Sequence, residues 1–262
     1  LPSPRRKRLL LVEDNEVNLN LMATILHKAG YDCDAAANGR LAVEKAGRED
    51  YDAILMDVRM PVMDGLMATQ AIRDLPGARG RIPIIAVTAN VLRGDRARSL
   101  DAGMDDYLAK PVRQEELLAM VEKWIGPGAP REEDDTAAPD AVDNRVAVLD
   151  ETIVSELETA LGREMLSALV GENIAAVREQ IGRIFDAVKE EDIAALQREA
   201  HDLKSTLGSF GALDASRRAA AIEEACKKGQ CDEAMQLLPD VERAVAAATT
   251  TLAARYLMAR KT

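Results

Sequence analysis

Five short apolar runs, each followed by a stretch of helical period, leave the first half of this chain little choice of architecture. Strong runs lie at 9–12, 53–56 and 82–87, with weaker ones at 31–36 and 106–109. Segments of helical period fill the gaps, at 17–29, 40–46, 66–75, 92–102 and 114–125. Strands that are apolar at consecutive positions bury both faces, which requires a parallel sheet covered by helices on each side. The expectation is a doubly wound (βα)5 α/β domain with a parallel five-stranded sheet, spanning 8–125.

The alternation then stops. Residues 126–148 read GPGAPREEDDTAAPDAVDNRVAV, with three prolines, two glycines and six acids against two arginines. That composition predicts an acidic, flexible linker with an end-to-end distance of roughly 25 Å, long enough for the flanking domains to meet or to part. Beyond it only helical period remains, at 153–161, 165–188, 193–210, 215–227 and 234–259, broken at Gly162, Gly211 and Gly229. An all-α antiparallel four-helix bundle with a short leading helix is expected over 149–262.

Composition excludes several functions. The net charge of −11 argues against nucleic acid as a partner, and 3% aromatics leave few rings for stacking on bases. Three cysteines suit reduced thiols rather than a disulfide framework. No apolar run approaches the roughly 18 residues of a membrane span, so no direct membrane contact is expected. The basic opening Arg5-Arg6-Lys7-Arg8 is followed by only four apolar residues, too few for a secretory signal. A first residue of Leu1 suggests a piece of something longer, and a cytoplasmic location fits, including the cytoplasmic part of a membrane-bound sensor.

In open parallel sheets reactive groups gather beyond the carboxyl ends of the strands. That rule brings together Glu13 and Asp14 after the first run, Asp57 after the third, Thr88 after the fourth and Lys110 after the fifth. Three clustered carboxylates repel one another unless a cation intervenes, and hard oxygen donors suit Mg²⁺. A hydroxyl and an ammonium facing that cation suit a phosphoryl group, with Asp57 as nucleophile, Glu13 and Asp14 holding the metal, and Lys110 and Thr88 binding phosphate oxygens.

At LLLVEDNEVN, DAILMDVRMPVMDG, IIAVTAN and DDYLAKPV the sequence resembles the receiver domain of two-component response regulators, across essentially all of 8–125. The resemblance implies the Arg59 carbonyl as a further metal ligand, a cis bond between Lys110 and Pro111, and Tyr107 as the aromatic switch that moves with Thr88. It also implies docking through the first helix, including Val17, Asn18 and Leu21.

Of the two histidines, His27 reads as a surface residue near a helix end. His201 lies opposite Leu196, Leu203, Leu207 and Phe210 on its helix, which predicts an imidazole facing solvent. Ser205 and Gly208 leave room for another protein, and Arg198 and Lys204 supply positive charge. A neutral imidazole is a competent nucleophile near pH 7.

The segment AHDLKSTLGSFGA resembles the histidine phosphotransfer (HPt) domain, with His201, Lys204, Gly211 and Ala212 on the family pattern and Ser205 in place of its usual glycine. A receiver joined to an HPt domain implies the C-terminal part of a hybrid sensor histidine kinase or a free-standing relay protein. It would accept a phosphoryl group on Asp57 from an upstream kinase histidine and pass it through His201 to a downstream response regulator. No ATP-binding kinase boxes follow His201, so intrinsic kinase activity is not expected. Two other readings stay open: a phosphorylation-controlled adaptor, and the dimerisation helix of a sensor kinase, where Thr206 stands in place of a proline.

Overall fold

A computed structural model describes residues 6–88, 98–126 and 148–258. The expected linker at 126–148 and the start of the helix expected at 92–102 lie outside these residues almost entirely or in part. Residues 98–101 are helical, as that expectation requires.

The first domain is built on β1 (Arg8–Val12), β2 (Asp32–Ala36), β3 (Ala53–Asp57), β4 (Ile84–Thr88) and β5 (Asp106–Ala109). All pairings are parallel, in the order β2-β1-β3-β4-β5. β3 and β4 are buried throughout, whereas β2 at the edge is not, which explains the weakness of its apolar signal. Helices α1 (Glu16–Lys28), α2 (Gly39–Arg48), α3 (Gly65–Arg73) and α4 (Gln114–Ile125) flank the sheet. Asn15, Asn38 and Asp64 cap the first three by accepting hydrogen bonds from their free amides. One apolar layer joins the sheet to α2 and α3 through Leu10, Ile54, Met56 and Ile72.

The second domain contains α5 (Glu151–Leu161), α6 (Arg163–Lys189), α7 (Ile193–Gly208), α8 (Leu213–Lys227) and α9 (Cys231–Tyr256). α7 packs between α6 and α8, and α9 closes the bundle against both α8 and α6, with α5 laid on α6. Gly211, at φ +79°, turns the chain between α7 and α8, and a Cβ there would stand 3.0 Å from the Asp150 carbonyl oxygen.

The two domains are in contact. The apolar layer under α1 and α4 continues into the bundle core, so that Leu21, Ile25 and Leu117 belong to one cluster with Leu157, Leu203 and Phe210. Lys28 at the end of α1 donates to the carbonyls of Ala160 and Leu161 at the end of α5, at 2.9 and 2.6 Å. Arg113 pairs with Glu156 nearby. Burying a shared apolar seam favours this docked arrangement over separated domains.

Candidate phosphotransfer sites and the interface between them

Parallel strand ends deliver Glu13, Asp14, Asp57, Thr88 and Lys110 to one rim of the sheet, as the sequence implies. Oxygens of Glu13, Asp14 and Asp57 lie within 4.8 Å of one another. The loop after Asp57 folds back closely: a Cβ at Gly65 would fall 2.1 Å from the Asp57 carbonyl oxygen, so only glycine fits. Lys110 Nζ donates to Asp57 Oδ2 at 2.6 Å and stands 2.6 Å from Glu13 Oε2. The Arg59 amide donates to Asp57 Oδ1 at 3.0 Å. The Lys110–Pro111 bond is cis. Thr88 ends β4 buried, and Tyr107 is half-buried on β5 beside Ala86.

One ammonium serves three carboxylates, and the acids show the deficit. Burial, followed by the Asp57 charge, lifts the Glu13 carboxyl to about 7 against the pull of Lys110. Burial and the Asp57 charge raise Asp14 in the same direction. Burial works against the Lys110 ammonium, but Asp57 and Glu13 more than offset it and hold its proton. A cluster of hard oxygen donors that remains undercompensated after its one lysine fits a divalent cation.

The second site faces the first across the domain interface. His201, on α7, is only partly accessible, with 14% of its side chain exposed. The expectation of an imidazole open to solvent is therefore corrected. The residue does lie opposite the buried Leu196, Leu203, Leu207 and Phe210, but Arg59 of the first domain and Glu223 of its own bundle both reach the ring. His201 Nδ1 lies 3.1 Å from Glu223 Oε1 and 2.9 Å from Arg59 Nη2. A carboxylate only accepts and a guanidinium only donates, so Nδ1 serves one of them at a time. With Nδ1 protonated it donates to Glu223, and Nε2 carries the free lone pair.

Glu223 is 3% exposed and stands among cations: Lys227 Nζ at 2.8 Å, Arg59 Nη2 at 3.0 Å and Lys204 Nζ at 3.6 Å. Burial would raise its carboxyl, but hydrogen bonds from His201 and Lys227 together with these charges hold it well below the ordinary range. Lys204 is lowered, first by burial and also by Arg59 and Lys227. Arg198 is exposed and makes no described bond to the imidazole.

A polar seam links the sites. Asn18 Nδ2 reaches Glu13 Oε1 at 3.3 Å and Ser205 Oγ at 2.8 Å, while Asn18 Oδ1 accepts from Ser209 Oγ at 2.9 Å. Asn15 Nδ2 donates to Thr206 Oγ1 at 2.8 Å. Ser205, where a glycine was expected from the family pattern, thus uses its hydroxyl as an interdomain acceptor. Gly208 faces Pro111: a Cβ there would lie 3.5 Å from the proline Cβ. Burial, followed by the Asp14 and Glu199 charges, lifts the Asp202 carboxyl to about 7.

Sequence reasoning missed Glu223, Asp202 and the side-chain roles of Asn15 and Arg59. Glu223 did leave a signal, an acid on the apolar stripe Ala215, Ala219, Ile222, Cys226 of α8. The cysteines are free, and His27 is exposed with Nδ1 3.0 Å from the Tyr31 carbonyl.

A doubly wound domain with an acid cluster at its strand ends, set against a helical bundle that presents an imidazole, defines a two-domain module of phosphorelay signal transduction. The chain belongs to two families in series: a response regulator receiver domain matches residues 9–122 and an Hpt domain matches residues 150–254. Among similar proteins, the signal transduction histidine-protein kinase BarA of Shigella flexneri is 31% identical over 232 residues, 87% of this chain and 25% of that protein. Hybrid signal transduction histidine kinase G of Dictyostelium discoideum is 43% identical over 126 residues, 47% of this chain and 4% of its own length. This chain therefore spans a quarter or less of these two relatives. The crystal structure of the receiver domain of sensor histidine kinase PA1611 from Pseudomonas aeruginosa PAO1, with magnesium coordinated in its active-site cleft, is 50% identical. It covers 47% of this chain and all of that one, at a TM-score of 0.44. No helix among the described residues is long and apolar enough to cross a membrane.

Proposed function

We propose that Asp57 accepts a phosphoryl group from a histidine of an upstream sensor kinase and that His201 receives it from Asp57, for delivery to the receiver domain of a downstream response regulator. The observation that carries this reading is the docked pair of sites, an acid cluster around Asp57 on one side and His201 with an orienting carboxylate on the other. In the first step the donor's P–N bond breaks as an Asp57 oxygen bonds to phosphorus. In the second, that P–O bond breaks as Nε2 of His201 attacks, and Glu223 stabilises the positive charge that develops on the ring through Nδ1–H. Lys110 and Thr88 neutralise and orient phosphoryl oxygens, Lys204 does so on the histidine side, and Tyr107 switches with Thr88.

Mg²⁺ is the proposed cation, held by Glu13, Asp14, Asp57 and the Arg59 carbonyl. When bound it supplies charge neutralisation at the transferring group. We read 8–125 as the receiver, 126–148 as the linker and 149–262 as the phosphotransfer domain, forming a cytoplasmic segment of a hybrid kinase.

The test is labelling with acetyl phosphate and Mg²⁺, followed by acid and base treatment. Wild type should acquire base-stable label on His201. Asp57→Asn should acquire neither kind, and His201→Gln should keep only base-labile aspartyl phosphate. Base-stable label appearing in Asp57→Asn at the wild-type rate would overturn the order of transfer.

A further inference from the structure

Arg59 touches both phosphotransfer sites with different atoms. Its backbone amide donates to Asp57 Oδ1 at 3.0 Å, which fixes the start of the side chain relative to the acceptor carboxylate. Its guanidinium crosses the interface to Glu223 Oε1 at 3.0 Å and His201 Nδ1 at 2.9 Å. The acid it meets is buried and belongs to the other domain. Other interdomain bonds around the sites, from Asn15 and Asn18, run between neutral groups. Among the described residues next to the sites, Arg59 supplies the ion pair that joins the receiver to the phosphotransfer domain.

We propose that the Arg59 side chain is the receiver's recognition and positioning residue for the His201 site, with Glu223 as its matching acid. A receiver whose residue at this position lacks a cation would dock with Glu223 short of one partner, whereas this receiver completes the charge around it. Charge-assisted bonds to a desolvated carboxylate are the strong ones, and a planar guanidinium also fixes direction. When Glu223 accepts from Nδ1–H, Arg59 bonds the carboxylate rather than the ring, so the clamp is compatible with a nucleophilic Nε2. The inference rests on the relay reading for its consequence, but the clamp itself is a matter of docking.

Two measurements on the full chain test it. After loading with acetyl phosphate, the first-order rate of transfer from Asp57 to His201, normalised to phospho-Asp57, should fall about tenfold in Arg59→Ala, the scale of one lost charge-assisted bond. Arg59→Lys should recover part of that loss and Arg59→Glu should deepen it. Independently, hydrogen exchange in the unphosphorylated chain should speed up in Arg59→Ala on both docked faces, at 15–22 and 203–210. Wild-type transfer in Arg59→Ala, or slow transfer with unchanged exchange, would overturn the proposal. Exchange that responds while wild type never labels His201 would leave the clamp standing and defeat the relay reading instead.

Discussion

The two sites solve opposite charge problems. Around Asp57 three carboxylates share one lysine, and burial, together with the neighbouring Asp57 charge, lifts Glu13 and Asp14. Around His201 the buried Glu223 carboxylate is surrounded by Lys204, Lys227 and Arg59, and its carboxyl is held down. In the proposed relay a phosphoryl group brings negative charge to either place. The first site needs an added cation before it can host one, while the second already carries its cations. The difference shows why a metal is proposed for one domain and not the other.

The strongest way to break the contrast is to remove the two proposed nucleophiles. Asp57→Asn or His201→Gln should reduce base-stable labelling of the chain by at least about a thousandfold, as losing a reacting group does. Next in size, Lys110→Met strips the acid cluster of the one cation that pairs with it among the described residues. Breaking a buried pair should cost about 3 kcal/mol without divalent metal, read from urea unfolding, and Mg²⁺ should restore more stability to the variant than to wild type.

Acid provides a sharper comparison on the histidine side. Glu223 titrates below its ordinary 4.5 in the folded chain, so its contribution to stability is complete above that value and is lost as pH falls beneath it. The stability advantage of wild type over Glu223→Gln should therefore be steady from pH 7 to 5 and shrink below about 4.5. Equality of the two proteins at pH 7 would remove Glu223 from its assigned role. The smallest effect belongs to Ser205→Gly, which deletes the acceptor for Asn18. It should weaken docking by about 1 kcal/mol, visible as a transfer rate several-fold slower.

Much of this was legible in the residues. Strand ends announced Glu13, Asp14, Asp57, Thr88 and Lys110 because parallel topology forces them onto one rim, whatever the side chains between them. The bundle followed from helical period, with boundaries within a few residues of those observed. What stayed hidden depends on two distant segments meeting. His201 was placed on the correct helix face, but periodicity reports only whether a face leaves its own bundle, not whether another domain covers it. Arg59 and Glu223 are 164 positions apart in the sequence, and neither has a local pattern that names the other. Ser205 looked like a small departure from a family pattern, and only its bond to Asn18 gives the hydroxyl a purpose.

The seam formed by Asn15, Asn18 and Pro111 against Thr206, Ser205 and Gly208 has a consequence for traffic through the relay. A berth that holds one vessel is closed to the next. Because receiver and bundle are covalently joined, their mutual local concentration is on the order of millimolar. Under the proposed relay an outside receiver reaches His201 only in the intervals when the resident one has cast off, so the rate of undocking sets the pace of onward delivery.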